Sequence, residues 1–365
     1  MFSEEFYNKK IVVTGHTGFK GSWLTAWLLR LGARVVGISL DIPTMPAHFV
    51  TAQLEGRITH HFADVRNASR LVQLIDAEQP DFVFHMAAQP LVRKSYREPL
   101  STIETNVMGT ANVLEAVRLL NRPCNVVVIT SDKCYDNVEQ VWGYRETDSL
   151  GGKDPYSASK GAAELIVKTY ASSYFNMANS PVKVAVGRAG NVIGGGDWAE
   201  DRIVPDCVRA WSSGKPVDIR YPQATRPWQH VLEPLSGYLQ LALELARRPD
   251  LNSEPYNFGP PAHQNATVAE LLNAMQVHWP NTRWNDVSGA EKLHEAGLLK
   301  LCCDKALQQM GWRPVMDFAE TVRFTAAWYC AYYANPNESN WEFTQSQIAE
   351  YEALAVVRNL SWARS

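Results

Sequence analysis

The sequence predicts an α/β fold built on a doubly wound parallel sheet, and three observations support it. Short β-branched runs alternate with segments of helical period through the first half of the chain, which is typical of a parallel sheet wrapped by helices. A glycine-rich turn joins the first run to the first helix. Beyond about residue 190 the alternation stops, and we expect a smaller α/β substrate-binding lobe over the carboxyl edge of the sheet, where such proteins bind ligands.

The strands and helices are predicted in order from their apolar patterns. The first strand is 11–13, and the helix 22–31 carries Trp23 and Trp27 on one face before Gly32 ends it. The other strands of the first half are expected at 34–40, 58–62, 82–85, 125–130 and 183–188, and its other helices at 69–77, 100–120 and 155–178. The second half has a glycine-rich turn at 194–196 and helices at 234–247 and 268–277. We predict two domains, 1–190 and 191–365, with some of the second crossing back to the sheet.

Composition narrows the class of protein before any motif is considered. The 365 residues suit two domains of ordinary size. Lysine and arginine total 35 against 38 aspartate and glutamate residues, so we expect no basic surface for nucleic acid or membrane. The six cysteines form no CxxC pair, and we predict no metal site. Residues 1–10 hold no apolar leader, and we predict a cytoplasmic protein.

The glycine-rich turn is the first candidate binding site. Gly15, Gly18 and Gly21 follow the first strand and open the first helix, where backbone N–H groups and the helix dipole can approach a pyrophosphate. The GxxGxxG spacing alone would equally fit an ordinary strand-to-helix turn. His16 and Lys20 are either cations near the phosphates or solvated loop side chains.

Acidic residues after the next two strands indicate which dinucleotide binds. Asp41 follows Gly21 by about 20 residues, where a carboxylate can bind a ribose 2′-hydroxyl and repel a 2′-phosphate. NAD is therefore favoured over NADP, unless Asp41 is simply a solvated strand end. Asp64 and Val65 are placed to contact an adenine amino group, or Asp64 is a turn residue. Residues 1–190 are thus expected to form a Rossmann-type domain.

Two groups of polar residues are candidates for catalysis. Tyr156 and Lys160 share one face of the helix that begins near residue 155. A nearby ammonium favours phenolate, so the pair can act as a base that takes a proton from a hydroxyl as hydride leaves its carbon. The alternative is an exposed amphipathic pair. The run Thr130, Ser131, Asp132 and Lys133 indicates a site at the end of strand 125–130, or else a capping sequence.

Motifs spread over most of the chain resemble one family. They occupy residues 14–21, 85–89, 106–110, 131–133, 154–160, 188–192, 226–231 and 256–259. On these motifs the chain is identified as a member of the extended short-chain dehydrogenase/reductases, and within them it resembles the nucleotide-diphosphosugar 4,6-dehydratases. Residues 15–24, 132–135 and 151–157 are most similar to dehydratases that act on CDP-glucose.

The resemblance implies an internal redox cycle that removes water from the sugar. Tyr156, aided by Lys160 and Ser131, takes the proton of the glucose 4-hydroxyl while hydride passes from C4 to NAD. Asp132 protonates the 6-hydroxyl as water leaves from C5 and C6, and the hydride returns to C6. The related dTDP-glucose enzymes carry glutamate where this chain has Lys133. Lys133 is therefore kept as catalytic with an open role: the C5 base, an enolate stabiliser or a group that positions water.

The resemblance also implies which residues contact the ligands. The cofactor-binding set is expected to be Gly15, His16, Thr17, Gly18, Phe19, Lys20, Gly21, Asp41, Asp64, Val65, Ala87, Ala88, Gln89, Asn106, Thr130, Tyr156 and Lys160. The substrate-binding set is expected to be Ser131, Asn191, Arg202 and Arg226, with Arg226 on the pyrophosphate of the nucleotide sugar.

Three other functions and two assembly states stay open. A nucleotide-sugar 4-epimerase would share NAD, Tyr156 and Lys160 but would need no acid at C6, and an idle dinucleotide-binding regulator would need none of the catalytic set. A dehydratase that acts on a different nucleotide-hexose is the third. Helices 100–120 and 155–178 carry apolar residues on more than one face, for example Leu114 and Val117, or Leu165 and Ile166. We expect a helix-bundle homodimer or a tetramer, unless packing within one chain buries these residues.

Overall fold

The computed structural model describes residues 2–177, 179–288 and 299–363. In these ranges the strands are β1 Lys10–Thr14, β2 Arg34–Ser39, β3 Thr59–Phe62, β4 Phe82–His85, β5 Cys124–Ile129, β6 Val182–Arg188, β7 Val192–Ile193, β8 Val217–Ile219, β9 Thr225–Arg226, β10 Gln229–His230, β11 Pro255–Asn257, β12 Ala266–Thr267 and β13 Trp284–Asp286. Seven of these described strands form one parallel sheet in the order β11, β6, β5, β4, β1, β2, β3. The predicted doubly wound sheet is confirmed.

Helices cover this sheet and build the second half. They are α1 Phe2–Phe6, α2 Phe19–Arg30, α3 His48–Thr51, α4 Ala68–Glu78, α5 Val92–Arg97, α6 Pro99–Ile103, α7 Gly109–Arg118, α8 Pro155–Tyr170, α9 Ile203–Ser212, α10 Leu232–Arg247, α11 Val268–His278, α12 Asp304–Met310, α13 Phe318–Ala334 and α14 Trp341–Val357. A π-helical turn, Glu104–Met108, joins α6 to α7, and a second one, Ala171–Phe175, follows α8. The predicted end of that last helix, Ala178, lies outside the described residues.

The middle of the sheet is apolar on both faces. Ile11, Val12 and Val13 of β1 are completely buried. Ile11 and Val13 pack into a core that includes Trp23 of α2, whereas Val12 belongs to a second core that includes Val113 of α7. Successive strand side chains point to opposite faces, and a parallel sheet is covered on both, so the continuous apolar run of β1 specifies a central strand.

The second half of the chain contributes to the first sheet. β11 pairs in parallel with β6, with Tyr256 opposite Gly187. Tyr238 of α10 packs against the same strand, since a Cβ on Gly187 would lie 2.7 Å from its ring. Some of residues 191–365 therefore cross back to the sheet, and the division at residue 190 stays a prediction. Among the described helices, none has both the length and the apolar character of a membrane span.

Candidate active site

The turn after β1 is closely packed at its glycines. Gly15 has φ +76°, which favours glycine, and a Cβ there would lie 2.7 Å from the backbone nitrogen of Ala87. A Cβ on Gly21 would lie 2.1 Å from the carbonyl oxygen of Gly15. Gly18 is the N-cap of α2. Because Gly15 and Gly21 have no side chains, β1, the turn and the start of α2 can pack closely together. The backbone amides of the turn then lie at the carboxyl edge of the sheet.

His16 and Thr17 face the protein interior. His16 is buried, with Nδ1 2.8 Å from Ser39 Oγ and Nε2 2.6 Å from His60 Nδ1. Burial, followed by the proximity of His60, lowers the pKa of His16 to about 3. The side chain is therefore neither a cation for phosphates nor a solvated loop residue, which corrects both sequence-based alternatives. Thr17 Oγ1 donates to the carbonyl oxygen of Asp41 at 2.6 Å and ties the turn to the end of β2.

Lys20 reaches the catalytic side of the crevice. Its Nζ lies 3.5 Å from the hydroxyl of Tyr238 and 5.8 Å from the centre of that ring. Burial, together with the positive charges of Arg202 and Lys160, lowers the pKa of Lys20 to about 7. Lys20 is therefore not a solvated loop residue. Its neighbour Phe19 packs against the apolar core.

The two acidic residues expected at the cofactor differ in their surroundings. Asp41 is exposed at the end of β2. Asp64 accepts from Arg66 Nη2 at 2.7 Å, and this hydrogen bond lowers the pKa of its carboxyl. The Val65 carbonyl accepts from Asn112 Nδ2 at 2.9 Å. Asp41 is thus open to solvent, whereas Asp64 already has a cationic partner, and the adenine contact of Asp64 and Val65 stays a prediction.

Asn106 fixes the loop after β4. Its Oδ1 accepts from the backbone nitrogen of Gln89 at 2.8 Å, and its Nδ2 donates to the Gln89 carbonyl at 3.1 Å and to Ser159 Oγ at 2.8 Å. The nearby Ala87 nitrogen donates to Thr14 Oγ1 at 3.2 Å, and Ala88 lies between them in the loop. Asn106 therefore joins residues 87–89 to α8, beside the glycine turn.

The first turn of α8 places Tyr156. Asp154 caps the helix by accepting from the backbone nitrogen of Ser157 at 3.0 Å, and Pro155 follows the cap; both residue types favour a helix start there. Tyr156 and Lys160 are one turn apart and both are buried. They therefore share the face of α8 that contacts the sheet edge, and Lys160 Nζ lies 3.5 Å from the Ile129 carbonyl of β5.

Ser131 and Asp132 meet Tyr156 where β5 ends. Ser131 Oγ donates to Asp132 Oδ1 at 2.9 Å, and the Ser131 side chain is near enough to the Tyr156 phenol to lower its pKa. Asn191 Nδ2 donates to Asp132 Oδ2 at 3.4 Å. Ser131, Asp132 and Tyr156 therefore form one buried cluster with Asn191 beside it. The side chain of Lys133 is exposed, and its role stays a prediction.

Burial sets the protonation of Tyr156 and Lys160. It raises the pKa of the Tyr156 phenol to about 12, although the hydrogen bond with Ser131 opposes this effect. Burial also lowers the pKa of Lys160 to about 8, against the influence of Glu164. In the chain alone the Tyr156 phenol is therefore neutral at pH 7, and the nearby Lys160 ammonium does not by itself convert it into a phenolate. A cationic ligand placed beside the phenol would lower its pKa.

The arginines expected at the substrate are held by different partners. Arg202 Nη1 donates to Asp197 Oδ2 at 2.7 Å, and Asp197 is itself buried. The charge of Arg202 also acts on Tyr156 and Lys20, so it belongs to the crevice. Arg226 lies on β9, where its Nη1 donates to the Thr225 carbonyl at 2.8 Å. Asn191 thus contacts the catalytic cluster, Arg202 acts on Tyr156 through its charge, and the role of Arg226 stays a prediction.

Sequence reasoning missed three residues around this cluster. Asp197 orients Arg202, Tyr238 contacts Lys20, and Gly190 leaves room for Asp132. Asp197 and Tyr238 come from the second half of the chain and meet the first half only in the folded protein, so their signals in the sequence are weak. The pointers available were the acidic residue five positions before Arg202 and the place of Gly190 in the motif 188–192.

The sequence is similar to characterised dehydratases over most of its length. A family model described as GDP-mannose 4,6 dehydratase matches residues 12–249. A CDP-glucose 4,6-dehydratase from Salmonella typhimurium is 47% identical over 336 residues, which cover 91% of this chain and 94% of that protein. A dTDP-glucose 4,6-dehydratase from Xanthomonas campestris is 26% identical, over 87% of this chain and 92% of that protein.

Solved structures share the fold. The dTDP-glucose 4,6-dehydratase from Streptomyces venezuelae, solved with NAD and TYD bound, has a TM-score of 0.71 at 23% identity, over 88% of this chain and 97% of that one. The UDP-glucose 4-epimerase from Thermus thermophilus, in complex with NAD, has a TM-score of 0.72 at 25% identity, over 88% and 99%. The fold alone therefore does not separate dehydration from epimerisation. The family match and the similarity to the Salmonella enzyme over most of both chains show that this chain belongs to the GDP-mannose 4,6 dehydratase family.

Proposed function

We propose that this protein is an NAD-dependent CDP-glucose 4,6-dehydratase, which converts CDP-D-glucose into CDP-4-keto-6-deoxy-D-glucose and water. The observation that carries the proposal is the buried cluster of Ser131, Asp132 and Tyr156 at the end of β5, in a chain 47% identical to a CDP-glucose 4,6-dehydratase. We further propose that it acts in the cytoplasm, where both NAD and nucleotide sugars are available.

The glycine turn and the end of β2 fit a dinucleotide. The surroundings of Gly15 and Gly21 would clash with any Cβ, which suits backbone that must approach a pyrophosphate. The exposed Asp41 stands where it can bind a ribose 2′-hydroxyl. NAD bound there supplies a hydride acceptor that returns the hydride later in the cycle. Lys20, rather than His16, is the side chain of the turn that extends into the crevice.

The residues of the cluster divide the proton transfers between them. Tyr156 removes the proton of the 4-hydroxyl as a phenolate, the form that a bound cation beside it would favour, with Ser131 next to its phenol and the Lys160 ammonium one turn away on α8. Asp132 protonates the 6-hydroxyl as it leaves, and Asn191 holds the carboxyl in place. Arg202, oriented by Asp197, binds the nucleotide sugar. Lys133 is the residue that we assign to the proton at C5, since it follows Asp132 in the chain and its backbone nitrogen donates to Ser131 Oγ at 3.3 Å.

A 4-epimerase is the second candidate, because the same fold is found in solved epimerases. An epimerase would need Tyr156 and Lys160 but no acid for a leaving hydroxyl. Asp132 is buried and accepts a hydrogen bond from Ser131, and the presence of this carboxyl group in the same cluster as Tyr156 favours the dehydratase.

Product analysis tests the proposal directly. The purified protein with NAD would be incubated with CDP-glucose, dTDP-glucose and GDP-mannose, and products followed by mass and by absorbance in alkali. Loss of one water from CDP-glucose alone is the expected result. Loss of water from another nucleotide sugar instead would show a dehydratase with a different substrate. A product of unchanged mass would show an epimerase.

We also propose a homodimer that pairs helices of two copies. Leu114 and Val117 are buried within the chain, as the alternative of intrachain packing requires. Exposed apolar side chains nevertheless occur along α6, α8 and the π-helical turn after α6, namely Leu100, Ile103, Met108 and Leu165. A second copy of the same surface would bury them, which is the usual geometry of a twofold interface.

A further inference from the structure

A buried ion pair lies directly behind the catalytic cluster. Glu164 of α8 and Arg188 at the end of β6 are both buried. Arg188 Nε donates to Glu164 Oε1 at 2.8 Å and to Oε2 at 2.9 Å, and Nη2 donates to Oε2 as well. Neither side chain belongs to the set that handles protons in the proposed reaction, so the presence of this charged pair requires another explanation.

Each partner of the pair makes one further hydrogen bond to residues 130–135, the catalytic segment. Thr130 Oγ1 donates to Glu164 Oε1 at 2.6 Å. Arg188 Nη1 donates to the hydroxyl of Tyr135 at 2.6 Å, and the guanidinium lies 4.7 Å from the centre of that ring. Thr130 immediately precedes Ser131, and Tyr135 ends the short turn that contains Asp132 and Lys133. The pair therefore holds the catalytic segment at both of its ends.

The same pair is linked to the other catalytic element. Glu164 is one helical turn after Lys160 and two turns after Tyr156, so the three residues follow one face of α8. Glu164 also acts electrostatically on the Lys160 ammonium. Tyr135 in turn donates to Asn257 Oδ1 of β11 at 2.8 Å. Three elements that bear or flank the site, β5, α8 and β6, thus meet at a single pair of side chains.

We propose that Glu164 and Arg188 are positioning residues that hold the turn 131–134 at a fixed position relative to Tyr156 and Lys160. The proposal rests on the proposed function. A buried ion pair by itself is weak support for a role in stability, because the desolvation of its charges offsets much of their attraction. Here both partners make additional hydrogen bonds to residues 130–135, whose position relative to Tyr156 must be held to within a fraction of an ångström for proton transfer.

The test compares Glu164→Gln with a matched control elsewhere in the chain. Glu320→Gln alters a second glutamate that pairs with both Nη atoms of an arginine, Arg358, on α13. Glutamine keeps the side-chain length in both variants. For Glu164→Gln we expect kcat to fall roughly 10- to 100-fold with KM changed less than about twofold, because geometry and not binding is lost. Both constants of Glu320→Gln should stay within about twofold of wild type.

A second variant keeps the proposal testable if Glu164→Gln does not fold. Tyr135→Phe leaves the ion pair intact and removes only the hydroxyl that Arg188 contacts. If the pair positions the turn, Tyr135→Phe also lowers kcat with KM unchanged. Wild-type kcat in Tyr135→Phe, or equal losses of kcat in Glu164→Gln and Glu320→Gln, would overturn the proposal.

Amide hydrogen exchange separates this proposal from the proposed function. In Glu164→Gln and Tyr135→Phe, the backbone amides of residues 131–135 should exchange at least about tenfold faster, while those of β1 keep their rates. This readout needs no turnover. If the wild-type protein converts none of the nucleotide sugars, the proposed function fails, and unchanged exchange in residues 131–135 would separately refute the positioning role.

Discussion

Asp132 and Gly190 approach so closely that a methyl group on Gly190 would lie 1.9 Å from Asp132 Oδ2. Heavy atoms cannot remain at that distance. The carboxyl group that we assign as the acid for the leaving 6-hydroxyl is therefore packed directly against the backbone that follows β6, and its placement depends on the absence of a side chain at residue 190.

Gly190→Ala should displace Asp132 and slow dehydration. We expect kcat to fall by roughly 100-fold, since a shift of about 1 Å at a reacting group has an effect of that size. Steady-state assays of water loss would measure it. Gly56→Ala is the control, because no atom lies within 4 Å of a Cβ there; comparable losses in the two variants would contradict the role given to this contact.

Tyr156→Phe should remove the base and leave the fold intact. General base catalysis contributes roughly 100- to 10,000-fold, and kcat should fall within that range. The rate of NADH formation after mixing with nucleotide sugar, followed at 340 nm, is the direct measurement. Tyr170→Phe, at the other end of α8, should retain wild-type kcat, and an active Tyr156→Phe variant would require another base.

Lys20→Met should stabilise the chain without NAD, and more at pH 6 than at pH 9. The folded-state pKa of Lys20, about 7, lies below the 10.5 of a free lysine. The destabilisation is therefore complete below pH 7 and decreases as the pH rises toward 10.5. We expect a gain in the free energy of unfolding on the order of 5 kcal/mol at pH 6, because one pKa unit corresponds to about 1.4 kcal/mol.

Denaturant unfolding at the two pH values measures this difference. Lys168→Met replaces an exposed lysine of α8 and should change stability little at either pH. A Lys20→Met variant that is less stable than wild type at pH 6 would show that the ammonium has a stabilising partner there.

Leu165→Glu should convert the proposed dimer into monomers. The residue is exposed on α8, and a carboxylate at a twofold interface would be buried without a partner in both copies. Light scattering after size-exclusion chromatography gives the mass directly. Val277→Glu, at a still more exposed apolar position on α11, should leave the mass unchanged, and a monomeric wild-type protein would end the dimer proposal.

The strands of the first half were predictable because burial on both faces of the sheet requires continuous runs of apolar residues. Runs such as Ile11-Val12-Val13 are apolar without alternation, as a covered parallel sheet requires. β11 was not predicted, since Pro255, Tyr256 and Asn257 have no such pattern and pair with β6 only through the tertiary fold.

The site was predictable where spacing along one element decides the geometry. Tyr156 and Lys160 are four residues apart on α8, and glycines at this spacing after a strand indicate a turn in which the backbone is closely packed. His16 was misjudged because its surroundings come from His60, on a strand 44 residues away. Glu164 and Arg188 could not be predicted for the same reason, since their proposed role depends on contacts with Thr130 and Tyr135 that form only in the folded chain.

The pairing of β11 with β6 also has a consequence for the order in which the chain matures on the ribosome. β6 is translated early, yet its outer neighbour emerges only after all of residues 189–254 have been made. Until then β6 is an open edge, which can pair with other chains. The long connection between the two strands therefore sets a period of vulnerability to aggregation that ends when Pro255–Asn257 docks.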